Sequence, residues 1–449
     1  MKRLRRRHGA DRSPLLYSRD VINHARPRTS GGFALDFKHR AGFPRPLQTA
    51  DAPCRNPDGD LIIMFLIISF SVAAVCWLGM SLGALYHLRW AQRLPSIAEL
   101  STPQSPGAIG DVRCSVVIAA RDEAERIEAT ARRLLEQKGV AMEVIVVDDR
   151  STDGTGEILR RLAAEDGRVR TERVESLPDG WLGKCYACHR GASMATGEWI
   201  LFTDADSWLT PDLILRAIMV AERDGVEHIA LTMGVKPASL PARAWHIGFI
   251  MSLSSFFSRA NRDEPEGHIG MGAFNLVRTT AYRKSGGYEA LRMTVIDDIR
   301  LGLLVRRAGG RTRGFIGGDD MDCDWGVTAR RMIHHMEKNY FAAAEFSVTG
   351  ALCLSFGNTL LWLAGIIGPM TGTPAGIAAG LGLLSLSLPA NVVARRLGWS
   401  PLSAIAVPVC LPLMFYAILR STVLTLRQGG IRWRDTFYPL AALRDGRVR

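Results

Sequence analysis

The stretch Gly197-Glu-Trp-Ile-Leu-Phe-Thr-Asp-Ala-Asp206 decides the fold that we expect for this chain. The apolar run that ends at Phe202 is typical of a buried strand. Asp204 and Asp206 follow it directly, at the carboxyl end of the strand, where the ligands of open α/β sheets bind. Carboxylates suit a hard divalent cation that also binds phosphate oxygens. The alternative is that this Asp-x-Asp only forms a turn or caps a helix.

Strands and helices alternate on the N-terminal side of this stretch. The β-branched runs at residues 114–120 and 143–149 predict two further buried strands. Apolar spacing predicts helices over residues 122–137 and 155–164, one after each of these strands. This alternation indicates an α/β, Rossmann-like fold with a doubly wound, largely parallel sheet.

Long apolar stretches flank the soluble core, at residues 61–86, 346–369, 374–393 and 402–426. Each exceeds the roughly 18 residues of a membrane-spanning candidate. His87, Arg89 and Arg93 follow the first stretch, which by the positive-inside rule puts the core in the cytoplasm. We interpret the net charge of +12 as the positive flank of membrane segments. Nucleic acid is not an expected partner, because no helix-turn-helix or zinc-finger spacing is present.

These patterns predict six regions along the chain. They are a disordered basic segment at 1–60, a transmembrane helix at 61–86, a linker at 87–112, the soluble domain at 113–345, transmembrane or interfacial helices at 346–426, and a basic tail at 427–449. Met64 begins the first apolar segment and is a candidate start of translation. Three crossings after the core would carry the basic tail outside, so we expect one C-terminal stretch to be interfacial. The alternatives are a re-entrant stretch or a tail that lies outside.

Two further segments carry residues suited to a phosphate or a nucleotide. Asp148 and Asp149 end their strand as Asp204 and Asp206 do, so both acidic pairs should converge on one crevice. The alternative for Asp148 and Asp149 is turn capping. Lys184 follows Gly183 before a helix of small residues, where a lysine can neutralise a phosphate. This is not a Walker sequence, which argues against a P-loop ATPase.

Asp297 and Asp298 stand at the start of a predicted helix, after the glycine-rich entry to a strand at residues 270–277. Acidic residues there could simply complement the helix dipole. In a crevice, a carboxylate is also a natural base for an acceptor hydroxyl.

Two other patterns have simpler interpretations. Cys185-Tyr-Ala-Cys188-His189 matches a haem attachment or redox motif. The simpler interpretation is that this spacing occurs by chance within a helix. The acidic triplet Asp320, Asp322 and Asp324 lacks the glycine and the closing glutamate of a calcium loop, and we interpret it as a solvated loop.

Six stretches, in this order, resemble the inverting family-2 membrane glycosyltransferases with a GT-A domain. They are Ser115–Glu123, Val147–Asp153, Gly183–Lys184, Thr203–Asp206, Gly272–Phe274 and Asp297–Asp298. The layout of this chain, with one N-terminal helix, a soluble core and C-terminal helices, is similar to that of the hopanoid-associated, carotenoid and ceramide glucosyl-transferring members. The resemblance covers about residues 64–440.

The resemblance implies a role for each matching residue. Ala119 and Glu123 would line the nucleotide pocket, and Asp149 would contact the nucleobase. Lys184 would lie near the diphosphate, Asp204 would touch ribose or metal, and Asp206 would coordinate Mn²⁺ or Mg²⁺. Asp298 would be the catalytic base that activates the acceptor hydroxyl. Asp297, Gly272, Arg330 and Arg331 are candidates for acceptor or diphosphate binding.

The implied activity is a metal-dependent hexosyl transfer from a nucleoside-diphosphate sugar, expected to be a UDP-sugar, to a hydroxyl of a membrane lipid. The implied location is the inner cell membrane, with several spans and a cytoplasmic catalytic domain. A polysaccharide synthase of the same family and a catalytically inactive membrane scaffold are the alternatives.

The chain departs from the family pattern at several positions. Ala119 stands where proline is usual, Asp122 where asparagine is usual, and Asp297 where glutamate is usual. The family's Gln/Arg-x-x-Arg-Trp segment is not intact, since its nearest match, Thr328–Met332, ends in methionine instead of tryptophan. This departure weakens the alternative of a polysaccharide synthase, which uses that tryptophan against its growing chain.

Overall fold

The computed structural model describes residues 57–100, 112–235, 239–323 and 328–448. The predicted disorder of residues 1–56, residues 101–111 of the predicted linker and Asp324 of the acidic triplet lie outside the described residues. Residues 57–60, which we expected to belong to the basic segment, already form the first turn of helix α1 (Pro57–Leu88).

The described residues of the soluble domain form nine strands. They are β1 (Arg113–Ala120), β2 (Ala141–Asp149), β3 (Val169–Val174), β4 (Trp199–Thr203), β5 (Ser207–Leu209), β6 (His228–Thr232), β7 (Asn275–Arg278), β8 (Thr312–Ile316) and β9 (Met321–Cys323). Seven form one sheet in the order β3-β2-β1-β4-β7-β6-β8, and β5 pairs with β9. Only β7 runs antiparallel to its neighbours in the large sheet. The predicted α/β fold with a largely parallel sheet is confirmed.

Helices cover both faces of this sheet. After α2 (Ile97–Leu100), they are α3 (Ile127–Leu135), α4 (Thr155–Glu165), α5 (Gly183–Met194), α6 (Leu213–Asp224), α7 (Leu240–Ser252), α8 (Ser254–Asn261), α9 (Thr279–Lys284), α10 (Gly287–Ala290) and α11 (Asp297–Arg307). Successive residues of β1 point to opposite faces: Val116 packs in the core that contains Phe274, and Val117 in the core that contains Phe202. Burial on both faces explains the continuous apolar runs of the parallel strands.

The strand register fixes where the acidic residues emerge. Ile118 of β1 pairs with Thr203 of β4, and Ala120 pairs with Asp148 of β2. Asp204 and Asp149 therefore emerge at the same edge of the sheet, on either side of β1. This is the edge at which open α/β sheets bind their ligands.

The C-terminal part is helical except for one hairpin. Its elements are α12 (Ala329–Met336), α13 (Asn339–Ala343), α14 (Val348–Leu352), α15 (Asn358–Ile367), α16 (Pro374–Ser385), α17 (Ser387–Arg396), α18 (Pro401–Ile405), α19 (Val407–Gln428), the hairpin strands β10 (Gly430–Trp433) and β11 (Thr436–Pro439), and α20 (Leu440–Asp445). A π-helical turn joins α14 to α15, and a 3₁₀ turn follows α15.

Within the described ranges, four helical segments are long and apolar enough to cross a membrane: Asp58–Leu88, Val348–Thr371, Pro374–Arg396 and Val407–Gln428. The first and third run side by side in the same direction. Ser81 and Ser385 share a hydrogen bond of 2.6 Å between their hydroxyls. Further along, Arg396 Nη1 donates to the carbonyl oxygens of Leu88 and Ala91 at 2.6 and 2.7 Å. Both segments therefore end beside the soluble domain.

Helix α19 differs from these because both of its ends lie against the soluble domain. At its start, Val407 belongs to the same buried core as Ile247 of α7. Near its end, Ser421 Oγ accepts a hydrogen bond from the backbone N–H of Phe341 at 3.0 Å. The hairpin β10–β11 follows directly and packs on the soluble domain through contacts described below.

Candidate functional site

Lys184 and Asp204 form the centre of a cleft at the carboxyl edge of the sheet. Lys184 Nζ donates to Asp204 Oδ1 at 2.6 Å, and about a third of each side chain remains exposed (33% and 35%). Lys184 reaches this place because it lies in the first turn of α5, which packs on β1 and β2. A Cβ on Gly183 would overlap Asp149 Oδ2, so the glycine lets the start of α5 approach the end of β2.

Asp298 approaches the same cleft from the start of α11. Its carboxylate accepts the backbone N–H of Gly272 at 2.8 Å and that of Ile299 at 2.9 Å. A Cβ on Gly272 would lie 3.0 Å from Asp204 Oδ2, 3.4 Å from Lys184 Nζ and 3.6 Å from Asp298 Oδ2. Four residues that are distant in the sequence therefore meet around one backbone position.

Asp297 has a different environment from Asp298. It is buried, and its Oδ2 accepts a hydrogen bond from Tyr288 Oη at 3.0 Å. Asn275 Nδ2 donates to the backbone carbonyl of Asp298 at 3.2 Å, which fixes the first turn of α11 from the strand β7. These contacts orient Asp298 within the cleft.

The charges in the cleft shift one another's pKa values. Burial, and then the charge of Asp297, raise the pKa of Asp298 to about 6. Burial would also raise the pKa of Asp204, but the Lys184 ammonium outweighs it and holds the pKa of Asp204 below its usual value. Burial and the charge of Asp204 raise the pKa of Asp206 to about 6. Near neutral pH these carboxylates are therefore ionised. The Asp298 carboxylate is more basic than that of the neighbouring Asp204.

Residues predicted for the nucleotide pocket lie at the neighbouring strand ends. Ala119 is half-buried near the end of β1, and Asp149 Oδ1 accepts from Arg150 Nε at 2.8 Å. Glu123 lies in the loop after β1, where it pairs with Arg434 Nη2 at 2.9 Å. Burial raises the pKa of Glu123, with contributions from the charges of Asp206 and Asp204. Glu123 is therefore in electrostatic reach of the cleft.

The C-terminal hairpin forms one wall of this pocket. Besides the Arg434–Glu123 pair, Asp435 lies 3.3 Å from Arg121 Nη2, and Tyr438 Oη accepts the backbone N–H of Gly183 at 3.1 Å. Nothing in the sequence indicated that the hairpin would pack against strand ends some 300 residues away.

Lys338, between α12 and α13, is a further residue of the cleft that sequence reasoning missed. Its Nζ lies 3.6 Å from the centre of the Trp433 ring. It is a single lysine outside any motif, so the sequence carried no signal for it. By contrast, Arg330 is exposed in the first turn of α12, and the described packing of that helix is against α7, α13 and α19. The role predicted for Arg330 and Arg331 remains a prediction.

Asp204 and Asp206 are the residues that could hold a divalent metal ion. Among the described residues, no group of three or more His, Cys, Asp or Glu side chains is arranged to hold one. Mg²⁺ is usually bound by one or two carboxylates together with phosphate oxygens of a substrate. The charge of Asp204 helps to raise the pKa of the neighbouring Asp206, and two such carboxylates beside a cleft fit such an ion.

The cysteines of the Cys185-x-x-Cys188-His189 motif do not support haem attachment or redox chemistry. Both are buried in α5, and Cys185 Sγ donates to the carbonyl of Thr294 at 3.6 Å. Burial raises the pKa of both thiols, that of Cys188 to about 12. Neutral, buried thiols are poor nucleophiles, so the interpretation as an ordinary helix stands.

Comparison with known proteins agrees with the motifs. Residues 115–286 match the family model described as Glycosyl transferase family 2. A 4,4'-diaponeurosporenoate glycosyltransferase of Staphylococcus haemolyticus (strain JCSC1435) is 27% identical over 199 residues, which is 43% of this chain and 51% of the relative. That of Staphylococcus aureus (strain USA300) is 28% identical over 196 residues, 42% of this chain and 50% of the relative. The chain spans about half the length of the curated relatives it matches.

Two solved structures are also similar. The mannosyltransferase PcManGT from Pyrobaculum calidifontis, in complex with GDP-Man and Mn²⁺, has a TM-score of 0.47 and 18% identity, covering 80% of this chain and 99% of its own. S. aureus TarS has a TM-score of 0.35 and 13% identity, covering 71% and 55%. Both scores are below 0.5, so neither structure bears on the site. The family match confirms the resemblance over residues 115–286, which lie within the soluble domain.

Proposed function

We propose that this family-2 glycosyltransferase transfers a sugar from a nucleoside-diphosphate sugar to a hydroxyl of a membrane lipid, with inversion at the anomeric carbon. The observation that carries the proposal is the convergence of Lys184, Asp204 and Asp298 around Gly272. This convergence places a cation that can bind a diphosphate close to a carboxylate that can deprotonate an acceptor hydroxyl. The relatives are named for 4,4'-diaponeurosporenoate, and we propose a carotenoid-type lipid as the acceptor on that basis.

The donor's nucleotide would lie between the strand ends and the hairpin, with the base near Asp149 and Ala119. Its diphosphate would then reach Lys184, whose ammonium lies at the start of α5 and is paired only with Asp204 among the described residues. Asp206 and Asp204 would hold Mn²⁺ or Mg²⁺, which would neutralise charge on the departing diphosphate. A UDP-sugar carrying a hexose is the donor we would test first.

Asp298 would act as the base. As the acceptor oxygen attacks the anomeric carbon, its proton passes to the Asp298 carboxylate, and the bond from the anomeric carbon to the phosphate oxygen breaks. Two backbone N–H groups hold the carboxylate, and a carboxylate has lone pairs left for a third partner. With a pKa of about 6, it is ionised at neutral pH yet more basic than an exposed aspartate.

We also propose that the domain lies on the cytoplasmic side of the inner membrane. Three segments would cross: Asp58–Leu88, Val348–Thr371 and Pro374–Arg396. Helix α19 would lie in the interface, since both of its ends contact the soluble domain. This arrangement keeps the basic tail on the side of Arg395 and Arg396, in agreement with the positive-inside rule.

A polysaccharide synthase is the second candidate, and one observation weighs against it. Met332 occupies the place of the family's tryptophan, and it is fully buried in a cluster with Trp245, Met336 and Ala417. A side chain enclosed in that cluster is not available to stack on a growing chain.

The test is transfer of labelled sugar in membranes that contain the full chain. A panel of nucleoside-diphosphate sugars would be supplied with lipid extract and with Mn²⁺ or EDTA. We expect metal-dependent label in extractable lipid, a loss of at least about a hundredfold in Asp298→Asn, and full activity in Asp58→Asn, an exposed aspartate at the start of α1. Label in an insoluble polymer would favour the synthase, and turnover of no donor would favour the inactive scaffold.

A further inference from the structure

Lys338 brings a second ammonium group to the cleft. Its Nζ lies over the Trp433 ring at 3.6 Å, a distance suited to a cation–π contact. Among the residues that the structure describes, it makes neither a hydrogen bond nor an ion pair. A largely buried cation with no counter-anion is costly, so its position calls for an explanation.

The carboxylates near Lys338 are each occupied by another group. Asp204, Asp297 and Asp298 all act on Lys338 through their charges. Asp204 pairs with Lys184, Asp297 accepts from Tyr288, and Asp298 accepts two backbone N–H groups. The protein therefore supplies negative potential around Lys338 without a direct partner.

Lys338 retains its charge in this environment. Burial, with the positive charge of Lys184, lowers the pKa of Lys338 to about 8, while the three carboxylates oppose the shift. A bound anion would restore the pKa and offset the cost of burial. Two ammonium groups in one cleft suit a diphosphate better than a singly charged ligand, because each can pair with its own phosphate group.

We propose that Lys338 is a donor-binding residue whose ammonium pairs with the diphosphate of the bound donor, and that Trp433 of the hairpin holds it in place. This inference rests on the proposed function and adds a residue to it. It also gives the hairpin a part in donor binding, because Trp433 and Arg434 are adjacent in the chain while Arg434 pairs with Glu123 of the nucleotide pocket.

The test compares binding of UDP, GDP and uridine to the purified full chain by titration calorimetry, with Mg²⁺ present. The variants are Lys338→Met, Lys338→Arg and Trp433→Leu, and the matched control is Lys284→Met, an exposed lysine at the end of α9. We expect Lys338→Met to weaken nucleoside-diphosphate binding about tenfold or more and to leave uridine binding unchanged. Lys338→Arg should restore most of the loss, and Trp433→Leu should weaken binding by a smaller factor.

Two results would overturn the inference. The first is unchanged nucleoside-diphosphate affinity in Lys338→Met, and the second is an equal loss of UDP and uridine binding, which marks a merely structural role. If the first result is found, initial rates would be measured next, and a rise in the KM of the lipid acceptor would assign the ammonium to an anionic acceptor. If the wild-type chain binds neither UDP nor GDP, the proposed function fails together with the inference.

Discussion

Gly272 has no side chain, and this brings three charged groups together. Its backbone N–H holds Asp298, while the space that a Cβ would occupy borders Asp204 and Lys184. The neighbours are side-chain ends, which can shift by a few tenths of an ångström without unfolding the domain. The position therefore controls the geometry of the cleft more than the stability of the fold.

We predict that Gly272→Ala folds normally but loses activity by about tenfold to a hundredfold, because displaced catalytic groups miss their working geometry. Initial rates of lipid glycosylation and a thermal unfolding curve would measure the two effects. Gly167→Ala is the matched control, since a Cβ there meets nothing within 4 Å. Wild-type activity in Gly272→Ala would contradict the cleft geometry described here.

Asp298 gives the reaction a predicted dependence on pH. Because burial and Asp297 raise its pKa to about 6, the carboxylate is protonated as the pH falls through 6, and the base is lost. We predict that kcat/KM for the donor falls about tenfold for each pH unit below that value and levels off above it, because kcat/KM reports the pKa values of the free enzyme. Initial rates at subsaturating donor and saturating Mn²⁺ would test this, since saturation removes the effect of pH on metal binding. A flat profile between pH 5 and 7 would contradict the role of Asp298 as base.

The hairpin β10–β11 joins the end of α19 to the pocket. Tyr438 Oη accepts the N–H of Gly183, the residue before Lys184, so the hairpin supports the first turn of α5. The burial of Tyr438 leaves water little access to replace this bond. The hairpin thus connects the helix that we propose to be interfacial with the residue that we propose to bind the diphosphate.

We predict that Tyr438→Phe raises the KM for the donor about threefold to tenfold and changes kcat less, because a buried N–H loses its acceptor near the diphosphate. Steady-state kinetics at saturating acceptor would separate the two parameters. Tyr416→Phe, on an exposed position of α19, is the control for loss of a tyrosine hydroxyl. An unchanged KM would show that the hairpin only covers the domain.

The parts of the site that lie in local patterns could be predicted from the sequence. Asp204, Asp206 and Asp149 follow strands whose apolar runs identify them, and Lys184 stands at a helix start marked by glycine. Lys338 and the hairpin could not be predicted, because their place depends on how α12, α13 and α19 pack on the domain. The predicted apolar stretch 402–426 became two helices, α18 and α19, with Pro408 near the junction.

The position of the hairpin constrains how the whole chain can cross a membrane. The soluble domain ends before α14, and the hairpin returns to the same domain after α19. The number of crossings between these points must therefore be even, although three apolar segments lie between them. We propose that α19 is the helix that does not cross, because its two ends contact the soluble domain, whereas Pro374–Arg396 ends there together with α1.

We predict that single cysteines in a cysteine-free chain will report this arrangement. Met370→Cys, in the exposed turn between the second and third apolar segments, should react with a membrane-impermeant maleimide in intact cells. Asp445→Cys, after the hairpin, should react only after the inner membrane is permeabilised, as should Glu125→Cys on the soluble domain. Labelling of Asp445→Cys in intact cells, with Glu125→Cys protected, would mean that α19 crosses the membrane. The hairpin could then not reach Glu123, and its proposed part in donor binding would fail with it.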